Sequence, residues 1–186
     1  MSSLFNRPRG VLGAAATVLT GAVRPRVFVS YHHARDQWFY NEFTRLFHGV
    51  YETIEDRSLE RRYDSDNLEY VRWAVANGDI KGTSCTVVLC GAETYQRKFV
   101  DWEIKATLDD GHGLVGVCLP DAPREEGGVR VPTRLSDNYH SGYAIWGMWT
   151  DLSVDNLRAW IASARHNASI RRDLIVNPRE IKRRNG

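Results

Sequence analysis

"CTVVLCGAETYQRKFVDWEIKATL", residues 85–108, is the stretch on which the reading of this chain turns. From Cys85 to Cys90 it is almost continuously apolar, the pattern of a central parallel strand covered on both faces. Gly91 follows, where the missing Cβ permits a sharp turn and the close approach of a ligand. Val100, Ile104 and Leu108 then recur at helical spacing and predict an amphipathic helix. Glu103 falls in the first turns of that helix. A carboxylate there can lie beside the crevice at the strand's end, where open α/β sheets bind their ligands.

Upstream, "RVFVSYHHARDQ" at 26–37 supplies a partner strand, Val27 to Tyr31, β-branched and aromatic. Phe39, Phe43, Leu46 and Phe47 predict a helix from Asp36 to Phe47, ended by Gly49. "VYETI" at 50–54 is a short second strand. A polar loop and a helix bearing Leu68, Val71 and Val75, capped by Ser65 or Asp66, come next. Downstream, 114–120 is a fourth strand, and 121–143, rich in Gly, Pro and charge, is a loop or insertion. "YAIWGMW" at 143–149 is the last strand, and Ser153 caps a helix carrying Leu157, Trp160 and Ile161.

Strand and helix alternate, which predicts an α/β fold with a central parallel sheet between two helical layers. Right-handed crossovers narrow this to a flavodoxin-like sandwich of order 2-1-3-4-5. The loops after Tyr31 and Cys90 would then face each other across one crevice. The chain divides into an N-terminal arm (1–25), one domain (26–165) and a basic C-terminal extension (166–186).

Composition narrows the function. A net charge of +2 is too small to argue for nucleic acid or a membrane surface. Trp146, Trp149 and Trp160 lack the basic interleaving of a strand-binding surface, and read as core. Cys85, Cys90 and Cys118 all sit in apolar runs without C-x-x-C spacing, which predicts reduced core thiols, a cytoplasmic setting and no metal. The apolar run within 1–25 is well short of the ~20 residues that span a bilayer. It reads as an arm or a short packed helix, with a secretory leader or a peripheral membrane contact as alternatives.

Glu103 has two readings at this stage. Near a helix N-terminus a carboxylate is favoured in its ionised form. It can stabilise positive charge developing on a sugar, or take a proton from a hydroxyl. The other reading is a surface glutamate paired with Lys98 or Lys105. Ser30, Tyr31 and His32 end the first strand with groups able to stack on or hydrogen-bond a nucleotide; loop polarity with Asp36 as a helix cap is the alternative. The amides between Gly91 and Thr94 can face a phosphate. "GHGLVG" at 111–116 matches G-x-G-x-x-G only in letters, because it follows a helix and precedes a strand, the reverse of a dinucleotide fingerprint.

"RVFVSYHHARDQWF" together with "TSCTVVLCGAETYQRKFVDWEIKATLDDGHGLVGVCLP" resembles the bacterial TIR-like family, that of the TIR-like subunit (ThsB) of the Thoeris anti-phage system. The resemblance covers roughly 26–120. It implies a TIR-like fold, NAD as substrate rather than cofactor, and cleavage of the nicotinamide–ribose bond. The glutamate of the family's W-x-x-x-E-[IL] pattern falls on Glu103, with Phe99 in place of the tryptophan. Ser30, Tyr31, His32, Gly91 and Thr94 would form the remaining walls. The product would be a cyclic or modified ADP-ribose signal read by a separate effector, with a homo-oligomer or a trigger protein as further partners. The Gly- or Pro-containing loop of many eukaryotic-type TIR domains has no counterpart in 55–64. A non-catalytic scaffold or nucleotide-binding module is the alternative.

Overall fold

A computed structural model describes residues 24–53, 80, 82–126 and 128–185. The arm to residue 23, the polar loop and the helix expected around Leu68 to Val75 lie outside them.

The chain enters β1 (Arg26–Ser30), α1 (His33–Phe47) and β2 (Glu52–Thr53). It continues through β3 (Cys85–Cys90), α2 (Lys98–Asp109) and β4 (Gly113–Cys118). A hairpin of β5 (Arg124–Glu125) and β6 (Gly128–Val129) leads to α3 (Thr133–His140), β7 (Ile145–Met148) and α4 (Val154–Ile170). Five strands form one parallel sheet in the order β2-β1-β3-β4-β7.

Strand alternation sorts side chains to opposite faces, and the core divides accordingly. Val27 and Val29 of β1, and Tyr31 just after it, join Val87 and Leu89 of β3 against Tyr40 and Phe43 of α1 and Leu157 and Ile161 of α4. On the other face Val88 and Cys90 pack with Val100, Ile104 and Leu108 of α2 and Leu135 of α3. This is the three-layer α/β arrangement expected of the sequence. Small residues let the layers close: a Cβ at Gly113 would lie 2.8 Å from the Ala164 backbone of α4.

Two segments depart from expectation. Helix α1 begins at His33 rather than Asp36, because the His32 carbonyl already accepts the Arg35 and Asp36 amides, at 3.2 and 2.8 Å. Asp36 is thus a buried residue of the first turn and not a cap. The 121–143 segment is not a plain loop: it holds the β5–β6 hairpin and α3. That helix escapes a periodicity reading because only Leu135 of its three buried residues is apolar; the others are Arg134 and Asn138. Ser153 does cap α4, accepting the Asn156 amide at 3.1 Å.

The basic extension is part of the packing. After α4 it makes a 3₁₀ turn, Arg172–Leu174, and returns across α3 and α2. Arg134, fully buried, binds the Asp101 carboxylate through Nε (3.1 Å) and donates to the carbonyls of Arg179 (3.1 Å) and Glu180 (3.3 Å). Asp101 in turn accepts the Lys182 amide at 3.0 Å, and Trp102 Nε1 donates to the Lys182 carbonyl at 2.8 Å.

Candidate functional site

β1 and β3 are adjacent and parallel, with Ser30 in register with Val88. Period-two alternation turns Ser30 to the face that α2 covers. There its hydroxyl donates to Glu103 Oε2 at 2.6 Å, a bond joining residues 73 apart in sequence. That length lies within the usual range for a hydroxyl bound to a carboxylate. Glu103 is 2% exposed and Ser30 fully buried. Glu103 is therefore not a surface glutamate, and Lys105 is bonded to Asp109 at 2.8 Å.

Glu103 is held by its helix as well as by Ser30. The Thr107 hydroxyl donates to the Glu103 carbonyl (2.8 Å) and shares a 2.7 Å hydrogen bond with Thr86 of β3. These threonines fix the second turn of α2 against the strand next to Ser30. Phe99, one turn before Glu103, packs edge-on against Trp102 with centroids 5.2 Å apart, in a cluster with Phe28 and Ile181.

Beyond Ser30 the chain bends into α1. Tyr31 is buried, stacked on Tyr40 at 4.4 Å with ring planes 9° apart, and its hydroxyl donates to Gln37 at 3.1 Å. Its ring belongs to the α1 side of the sheet, across from Glu103. His32 is buried beside it and supplies the carbonyl that starts α1.

Gly91 and Thr94 meet a partner that a motif reading misses. Thr94 Oγ1 accepts the Gly91 amide at 2.9 Å and donates to Asp36 Oδ2 at 2.8 Å. Asp36 and Thr94 are both fully buried. The network ties the loop after β3 to the first turn of α1, across the crevice between β1 and β3. It takes up the Gly91 amide that would otherwise face a ligand. Gly91 is required here, since a Cβ would come within 2.7 Å of Asp36 Cγ. Above this network Glu93 binds Arg35 at 3.0 Å and also pairs with Arg97.

Ser30 and Glu103 are therefore brought together, with His32 at the same strand end. Tyr31 faces the opposite layer, and Gly91 and Thr94 are engaged by Asp36. Asp36 is the participant the sequence reading assigned to a helix cap; its i to i+58 pairing with Thr94 leaves no local pattern. Among the described residues no group of three His, Cys, Asp or Glu side chains could hold a metal ion. Nor is any helix among them long and apolar enough to cross a membrane.

Comparison with known proteins bears on this geometry. The family model described as Thoeris protein ThsB, TIR-like domain, matches residues 28–124, just over half of the chain. The matched segment begins within β1, ends after β4 and includes Ser30, Asp36, Gly91, Thr94 and Glu103. No curated protein matches the chain.

Proposed function

The chain belongs to the family of TIR-like domains of the Thoeris protein ThsB, and from that premise we propose that it cleaves NAD at the nicotinamide–ribose bond to make a signal in anti-phage defence. The observation that carries this reading is the buried Glu103 carboxylate, oriented by the Ser30 hydroxyl at the C-terminal end of β1. In such a reaction the bond from the ribose C1′ to the nicotinamide nitrogen breaks. Its electron pair neutralises the pyridinium, and positive charge is left on the ribose ring. A fixed carboxylate lowers the energy of that oxocarbenium-like state, because it is already oriented before the charge appears.

Ser30 fixes the carboxylate's rotamer, and the Thr107–Thr86 pair fixes the helix turn that carries it. The ring carbon is then attacked by water, or by a nucleophile of the same ADP-ribosyl group, and one proton is released. Attack from within gives a cyclic product and requires water to be kept out. Burial of Glu103 and Ser30 suits that requirement. The product would act in the cytoplasm on a separate effector, and a trigger protein or self-association would open the site.

The same burial favours a second reading, a TIR-like scaffold that binds a nucleotide or partner without turning it over. One experiment separates the two. Nicotinamide release from NAD is followed with the purified protein and in cells before and during phage infection. Glu103→Gln preserves an acceptor for Ser30 and should lower the rate by about 100-fold or more, the scale of general acid–base losses. Turnover in that variant equal to the parent's removes Glu103 from the chemistry. Protection against phage without any NAD consumption establishes the scaffold.

A further inference from the structure

A cleft of about 420 Å³ lies at the end of the sheet opposite Ser30 and Glu103. It is bounded by the residues entering β1, by Gly49 and Val50 after α1, and by one stripe of α4. On that stripe Arg158, Ala162 and Arg165 follow one another at i, i+4 and i+7, so they share a helix face. Arg24 closes the rim from the β1 side. Val50 and Ile161, both buried in the main core, form an apolar floor.

Charge here is local and poorly compensated. Among the described residues neither Arg24 nor Arg165 pairs with a carboxylate, and Arg158 has only Asp155, at 3.8 Å and almost fully solvated. Three guanidinium groups around one concavity, in a chain of net charge +2, concentrate positive potential at a single place. Their planar forks match phosphate oxygens in pairs. The volume falls in the range of small-molecule sites, which are concave and mostly apolar with a few convergent polar groups. An extended nucleic-acid strand would want a groove with stacked aromatics, and this lining has none.

We propose that this cleft binds a phosphate-bearing small molecule of about nucleotide size, the arginines holding the phosphate and the Val50–Ile161 floor receiving the apolar part. The site is separate from Glu103 and stands whether or not the chain cleaves NAD. Calorimetric titration of the full chain with inorganic pyrophosphate, with AMP and with a 12-nucleotide single-stranded DNA tests it. Pyrophosphate and AMP should bind one to one, and more weakly as salt rises. Arg24→Ala combined with Arg165→Ala should weaken both by tenfold or more. Ala162→Glu, which places a carboxylate between the arginines, should do the same without removing either of them. Glu103→Gln should leave both affinities unchanged. No binding by the parent chain, equal binding by the folded cleft variants, or binding of the DNA alone would each overturn the proposal.

Discussion

Replacing Arg134 by Met should loosen the helix that carries Glu103, although Arg134 is on another helix. The Arg134 side chain is fully buried, and its partner Asp101 is 8% exposed. Removing the cation leaves the Asp101 carboxylate in a dry site, still accepting the Lys182 amide but without its countercharge. The carbonyls of Arg179 and Glu180 lose their donor at the same time. Breaking one side of a buried pair typically destabilises by about 3–5 kcal/mol. For a chain of this size each kcal/mol shifts the melting temperature by roughly 2–4 °C, so a fall of about 6–20 °C is expected. Adding Asp101→Leu removes the stranded charge and should recover part of that fall. It cannot restore the carbonyl bonds, so the extension should stay loose in both variants. Thermal denaturation reads the first effect and limited proteolysis between Ile175 and Arg183 reads the second. A melting temperature within 2 °C of the parent (about 1 kcal/mol at most), with no new cleavage in that segment, would show that the buried pair does not brace the extension.

Gly91→Ala should destabilise the fold by about 1–3 kcal/mol, the usual scale of overpacking, because its Cβ meets the Asp36 carboxylate; pairing it with Asp36→Ala should return much of the loss in a denaturant titration. Ser30→Ala leaves Glu103 Oε2 short of a buried donor and should lower stability by about 1–3 kcal/mol. If the proposed chemistry holds, it should also slow nicotinamide release, whereas Ser30→Thr, retaining a hydroxyl, should recover part of the rate. Burial pushes the Cys85 thiol up to about 12 and raises Cys90 and Cys118 as well, so none should react with a disulfide reagent at pH 8 until the chain unfolds. The native state holds those protons more tightly than the unfolded chain does. Stability should therefore be full below about pH 8.5, the free-thiol value, and fall as pH rises from there toward 12. Labelling of the native protein at pH 8 at the rate of the unfolded chain would contradict that burial.

The central layer was legible because burial on both faces leaves a near-continuous apolar run, as at Cys85–Cys90. The α2 helix was legible because Val100, Ile104 and Leu108 recur at helical spacing. Ser30 could be singled out at a strand end and Glu103 in the early turns of its helix, but not their bond, since contact across 73 residues has no periodicity. Helix α3 and the extension were hidden for a related reason. Their buried groups are Arg134, Asn138 and main-chain carbonyls, and a polar residue satisfied by distant backbone looks in sequence like a solvated one. Asp36 shows the same blindness: local spacing offers a cap, while the fold uses it as the counterpart of Thr94.

The returning extension also orders events as the polypeptide is made. Residues 176–182 complete the bonding of Arg134, Asp101, Trp102 and Asn138, all supplied by segments synthesised earlier. A nascent chain that has exposed only its first 165 residues can pair its strands and join Arg134 to Asp101, yet Arg134 still lacks the carbonyls of Arg179 and Glu180, and the Trp102 indole N–H lacks that of Lys182. Consolidation of the Asp101–Trp102 turn of α2, next to Glu103, is complete only once Lys182 has left the ribosome.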